Sequence, residues 1–143
     1  MHAARASGLQ PQHWLVMNGD SYLGGDWPRL MASKKNGEAC LVARQVADTG
    51  RYGRLDVNHG KLIGFREKQG GGEGLINAGI YLLPGIWLNG VMKQGALSME
   101  NDLIPGWLSE GHTIRVQEAD APFLDIGTPE DYAKADTFFA NLE

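Results

Sequence analysis

Asp20 closes the run His13-Trp14-Leu15-Val16-Met17-Asn18-Gly19, and Asp125 follows Pro122-Phe123-Leu124 and precedes Ile126-Gly127-Thr128-Pro129. Each carboxylate is therefore expected where a short buried strand runs out of a sheet, the position at which open α/β folds build their sites. Two hard oxygen donors meeting there suit a shared divalent cation. A carboxylate after a strand also commonly caps a turn or helix, and residue type alone does not choose between these roles.

The elements needed to carry the two acids are legible in outline. Trp14 to Asn18 reads as a strand, and Trp27 to Lys35 as a short helix with Asp26 as cap and Pro28 in its first turn. Glu38 to Val46 reads as a second strand. Two alternating runs, Tyr52 to Val57 and Lys61 to Lys68, flank Asn58-His59-Gly60 and predict a β-hairpin. Leu75 to Leu83 reads as a further strand, stopped by Pro84, and Thr113 to Glu118 as another. Helical spacing covers Ile86 to Gln94 and Met99 to Glu110, with a kink or restart expected at Pro105. Thr128-Pro129-Glu130-Asp131 supplies a cap, a proline and an acid three residues later. It predicts a helix over Pro129 to Leu142 with Tyr132, Ala135, Phe139 and Leu142 on its apolar face.

Composition narrows the functional classes. The 143 residues are 43% apolar and carry 13 basic against 17 acidic side chains, a net charge of -4. One domain with a real core is the default at this length, and nothing resembles the basic stripe that a nucleic acid requires. Cys40, in Ala39-Cys40-Leu41-Val42-Ala43, reads as a small buried hydrophobe, and a single cysteine gives no disulfide framework. No apolar run is long enough to span a bilayer, and Met1 to Gln10 lacks a signal-peptide core. A soluble cytoplasmic protein is expected, with no nucleic-acid or membrane partner. The cluster Gly70-Gly71-Gly72-Glu73-Gly74 precedes a strand and not a helix, so it is not read as a phosphate loop. The four histidines show no metal-ligand spacing.

The succession Val16-Met17-Asn18-Gly19-Asp20, Arg51-Tyr52-Gly53, Gly64-Phe65-Arg66-Glu67-Lys68, Ile76-Asn77-Ala78-Gly79-Ile80-Tyr81 and Phe123-Leu124-Asp125-Ile126-Gly127-Thr128-Pro129-Glu130-Asp131-Tyr132 resembles the sugar-1-phosphate nucleotidyltransferases. The likeness runs from about Trp14 to Leu142 and is nearest the mannose- and heptose-1-phosphate guanylyltransferase branch. It implies an α/β fold, part of a Rossmann-like (GT-A-like) domain: a mixed, mostly parallel sheet flanked by helices, with a β-hairpin. It also implies an enzyme that joins a nucleoside triphosphate to a sugar 1-phosphate and releases pyrophosphate.

By that resemblance Asp20 and Asp125 are the Mg2+ ligands and Lys68 is the catalytic cation on the sugar phosphate. Glu67 and Asn77 meet sugar hydroxyls, and Gly53 and Gly79 let backbone approach the ring. The resemblance puts an acid near the sugar in the region of Glu100, but the match slips by a residue there and Glu100 is read as helix-start charge. Residue type alone favours a solvated hairpin end for Glu67-Lys68, and Asn77, Gly53 and Gly79 equally suit turns or bulges. The family's Gly-Gly-x-Gly-Thr-Arg loop and its following lysine do not precede Asp20. Residues 1–13 are accordingly expected to be a poorly ordered remnant and 14–143 the C-terminal part of the domain. That part would carry the sugar and metal half and transfer little nucleotide by itself. A non-catalytic sugar-phosphate-binding or regulatory module is the alternative; a glycosyltransferase fits less well, since no Asp-x-Asp motif surrounds Asp20. Open sheet edges would be compatible with a homo-oligomer.

Overall fold

The computed structural model describes residues 10–27, 29, 37–66, 71–91 and 97–142. Its main sheet has six strands in the order β1-β6-β3-β7-β5-β4. These are β1 (His13–Met17), β3 (Ala39–Val46), β4 (Arg54–Asn58), β5 (Lys61–Arg66), β6 (Gly74–Pro84) and β7 (Ile114–Glu118). A separate two-stranded ladder joins β2 (Ser21–Leu23) to β8 (Phe123–Asp125). The helices whose bounds lie within the described residues are α1 (Gly85–Val91), a π-helical turn at Met99–Leu103 that runs into α2 (Ile104–Ser109), α3 (Pro129–Tyr132) and α4 (Ala135–Ala140).

Period-two alternation explains how β3 and β6 hold the molecule together. Ala39, Leu41 and Ala43 of β3, with Tyr81 and Leu83 of β6, face one core, covered by Trp87 and Leu88 of α1 and Ile104 and Trp107 of α2. Cys40 and Val42, with Ala78 and Ile80, face a second core that includes Leu23, Ala119 and Ala121. A strand covered on both faces needs an unbroken apolar run, which Ala39-Cys40-Leu41-Val42-Ala43 provides.

The α/β class and the hairpin stand as expected. In the turn, His59 at φ +49° and Gly60 at φ +71° form a two-residue loop with both centres left-handed, the geometry that matches strand twist. The expectation of a mostly parallel sheet is corrected: among the described residues only β3 and β7 pair in parallel, and the other ladders are antiparallel. Parallel neighbours require a long crossover, whereas β4 and β5 follow one another through a tight turn, and the eleven-residue β6 runs antiparallel to both β1 and β3.

The C-terminal helix also differs from expectation. It is divided by a turn at Ala133 and Lys134, where Lys134 N–H donates to Asp131 C=O at 3.0 Å. Tyr132, Phe139 and Leu142 remain exposed, so the predicted apolar stripe is not a core face. Instead, Phe138 and Phe139 set their rings edge-on to Tyr22 of β2, at 5.8 and 5.0 Å. The restart near Pro105 occurs, with Pro105 in the first turn of α2. Most of the helix expected over 27–35 lies outside the described residues, though Arg29 N–H donates to Asp26 Oδ1 at 3.4 Å. Residues 1–9 of the expected remnant lie outside them too. Gly85 N–H donates to Gln12 C=O at 2.7 Å, and His13 opens β1.

Candidate functional site

The site is assembled from four segments: the end of β1, a bulge in β6, the loop before β4 and the end of β8. After β1, the turn residues Asn18 and Gly19 lead to Asp20, and the chain enters β2. Ser21 pairs opposite Asp125 in the β2–β8 ladder, and Ile126 N–H donates to Asp20 C=O at 2.8 Å. The two acids, distant in sequence, are therefore neighbours in space. A Cβ built on Gly127 would stand 3.0 Å from Asp125 Oδ1 and 3.9 Å from Asp20 Oδ2. Both side chains thus present an oxygen within 4 Å of one point, with Asp20 exposed and Asp125 half-buried. Asp125 also performs the turn role: its Oδ1 accepts Gly127 N–H at 2.8 Å, which ends β8 and directs the chain to α3.

Between Val42↔Ile80 and Ala43↔Asn77 the β3–β6 register shifts, so Ala78 and Gly79 bulge from the ladder. Gly79 is at φ +75°, and a Cβ there would lie 2.6 Å from Asn18 Nδ2. The glycine lets the end of β1 close against the bulge, with Asn18 N–H donating to Gly79 C=O at 2.8 Å. Asn77 Oδ1 accepts Gly79 N–H at 3.0 Å, while its Nδ2 donates to Glu100 Oε1 at 2.6 Å and Tyr81 Oη at 2.5 Å. Burial pushes the Tyr81 phenol up to about 12, the Glu100 charge adding to this and the Asn77 hydrogen bond opposing it.

Glu100 leads into the principal concavity, of about 830 Å³, whose lining also includes Tyr52, Gly53, Phe65, Arg66 and Asn101. A smaller one, of about 440 Å³, is lined by Asn18, Gly19 and Asp20. Asn77 and the bulge that follows it touch the lining of both, Asn77 through Glu100 and Gly79 through Asn18. Gly53 is at φ +76°, with its N–H donating to Thr49 C=O at 3.2 Å.

Of the residues the sequence singles out, Asp20 and Asp125 converge, Gly79 lies in the bulge beside Asn18 with the paired Asn77 just before it, and Gly53 lines the larger concavity. Glu67 and Lys68 lie outside the described residues. Glu100 does lie in the first turn of the π-helical segment that Ser98 caps, as expected, and it also lines the concavity, the region in which the resemblance puts an acid near the sugar; its bond to Asn77 was not anticipated. Arg51 and Asp131 were also passed over. Arg51 Nη1 donates to Asp131 Oδ1 at 3.1 Å and Nη2 donates to Oδ2, while Thr128 Oγ1 donates to Oδ2 at 2.7 Å and Lys134 Nζ to Oδ1 at 3.0 Å. Arg51, Thr128 and Lys134 hold the buried Asp131 carboxyl well below the usual carboxylate range, and Asp131 in turn keeps Arg51 cationic.

With paired acids at strand ends beside a bulge in a mixed α/β sheet, the chain can be set against known proteins. Residues 2–141 match the nucleotidyl transferase family. The D-glycero-alpha-D-manno-heptose 1-phosphate guanylyltransferase of Campylobacter jejuni is 36% identical over 121 residues, covering 82% of this chain and 52% of its own length. The crystal structure of HddC from Yersinia pseudotuberculosis superposes with a TM-score of 0.80 at 29% identity, covering 95% of this chain and 59% of that one. The structure of the same Yersinia protein complexed with GMP-PN superposes with a TM-score of 0.77. The chain belongs to the nucleotidyl transferase family. It spans about half the length of the curated guanylyltransferase it matches. Among the described residues, no helix is long and apolar enough to cross a membrane.

Proposed function

We propose that this chain contributes the sugar-phosphate and metal side of a reaction in which a sugar 1-phosphate and a nucleoside triphosphate form a nucleotide sugar. The observation that carries the reading is the convergence of Asp20 and Asp125 on one point, beside the β6 bulge that packs against Asn18. In the reaction, a phosphate oxygen of the sugar 1-phosphate bonds to the α-phosphorus as the bond to the β-phosphate breaks, and pyrophosphate leaves with the electron pair. Two anions must approach in line, so charge neutralisation and positioning supply the catalysis.

The residues present fit Mg2+. Among the described residues no group of three or more His, Cys, Asp or Glu side chains could hold an ion. Mg2+ needs no such cage, being typically held by one or two carboxylates with phosphate oxygens and water completing its shell. Asp20 and Asp125 would be those carboxylates, and the bound ion would offset the negative charge of the two phosphates. Gly53, Asn77 and Gly79, with Glu67 for hydroxyls and Lys68 for the phosphate, are our assignment for the sugar-phosphate subsite. A reducing, cytoplasmic setting accords with the buried Cys40.

Calorimetric titration with mannose, glucose and heptose 1-phosphates, with and without Mg2+, tests this reading. It expects binding of a sugar 1-phosphate that Mg2+ tightens, and no comparable binding of the free sugars. Indifference to Mg2+, or equal binding of sugar and sugar phosphate, would overturn it.

A further inference from the structure

Two segments of the site approach one another through contacts that the chemistry itself does not require. The loop before β4 carries Gly53 and Tyr52 into the larger concavity, while β8 carries Asp125 and α3 carries Asp131. Arg51 meets Asp131 across 80 residues of sequence with both terminal guanidinium nitrogens, Nη1 and Nη2, one on each carboxylate oxygen. Beside this pair, the Tyr52 ring stands edge-on to Phe123, two residues before Asp125, with centroids 6.0 Å apart. The Arg51 guanidinium also lies 5.4 Å from the Tyr52 ring centre.

The start of α3 does not depend on Arg51. Thr128 Oγ1 accepts Asp131 N–H at 3.2 Å, and Lys134 supplies a counter-charge to the Asp131 carboxylate. What Arg51 adds is a planar two-point grip, which fixes orientation as well as distance. Its consequence falls on the loop, because Gly53 is only two residues away.

We propose that Arg51 is a positioning residue: its bidentate pairing with Asp131 holds the Tyr52–Gly53 sugar-side loop in register with Asp125, so that a cation at the carboxylates and a phosphate in the cleft bind cooperatively. This inference rests on the site reading given under Proposed function. A divalent ion beside a phosphate attracts it through Coulomb forces that weaken with distance, so loosening the latch should cost the coupling before it costs either site.

The test is a calorimetric comparison of the native chain, Arg51→Ala and Arg51→Lys, each titrated with mannose 1-phosphate with and without Mg2+. In the native chain Mg2+ should tighten sugar-phosphate binding by about tenfold. Arg51→Ala should keep the Mg2+-free affinity within about twofold while losing most of that tightening, and Arg51→Lys, which keeps charge but not the fork, should recover only part of it. Retained coupling in Arg51→Ala, or parallel loss of affinity in both conditions, would overturn the latch. If Arg51→Ala does not fold, full coupling in Arg51→Lys would overturn it. Absence of Mg2+-dependent tightening in the native chain would instead defeat the underlying site reading, and the latch with it.

Discussion

Gly79 lies so close to the Asn18 side chain that a Cβ on it would stand 2.6 Å from Nδ2. With φ at +75°, any other residue also strains the backbone, so Gly79→Ala should cost about 1–3 kcal/mol in urea unfolding. Asn18→Gly combined with Gly79→Ala should recover part of that loss, because it removes the Asn18 Nδ2, Cγ and Cβ atoms that a Cβ on residue 79 would meet at 2.6, 2.8 and 2.9 Å. Full wild-type stability in Gly79→Ala alone would contradict the account of the bulge.

The β3 core should behave as a packed interior. Leu41 is fully buried, and Leu41→Ala should cost about 2–5 kcal/mol. Leu142→Ala, at a position 39% exposed, should change stability by no more than about 0.5 kcal/mol. Equal effects at the two positions would show that the burial described here is wrong.

Asp131 sets an acid limit. Its folded-state pKa lies below the unfolded value of about 3.9, so its stabilisation is complete above roughly pH 4 and is lost as pH falls further. Replacing Asp131 with Asn should flatten the fall of the urea midpoint at low pH. Identical slopes for the two proteins would mean the carboxylate is not held by Arg51, Thr128 and Lys134.

Tyr81 sets an alkaline one. Burial favours its neutral form, so its contribution is intact below about pH 10 and is lost as pH rises toward 12. Glu100→Gln removes a nearby negative charge and should move the tyrosinate absorbance midpoint down, while replacing Asn77 with Ala removes a donor to the phenolate and should move it up. A shift in the opposite sense for Glu100→Gln would break the Asn77–Glu100–Tyr81 connection.

Much of this was legible because it is local. The apolar run Ala39 to Ala43 specifies a strand covered on both faces, His59-Gly60 a tight hairpin, and Thr128 a helix cap, each from residues within a few positions of one another. Strand direction was not legible, since it depends on which strand each pairs with; the family resemblance implied a mostly parallel sheet, where β6 pairs antiparallel on both sides. In the C-terminal helix, spacing gave an apolar stripe, yet Phe138 and Phe139 found a partner in Tyr22, which no local pattern indicates. Asp20 and Asp125 stood out because each ends an apolar run. Arg51 and Asp131 lie 80 residues apart, and neither residue signals the other.

The central claim is that Asp20 and Asp125 act together on one divalent ion. Titration with Mn2+, followed by the loss of its free electron paramagnetic resonance signal, measures this for the native chain, Asp20→Asn, Asp125→Asn and the double variant, each with its thermal transition recorded. The account predicts one ion per chain in the presence of a sugar 1-phosphate. Either single substitution should weaken binding by about tenfold or more, the double variant should lose little beyond the singles, and the folds should be retained. Unchanged affinity in either folded single variant, or strictly additive losses from the two, would contradict it.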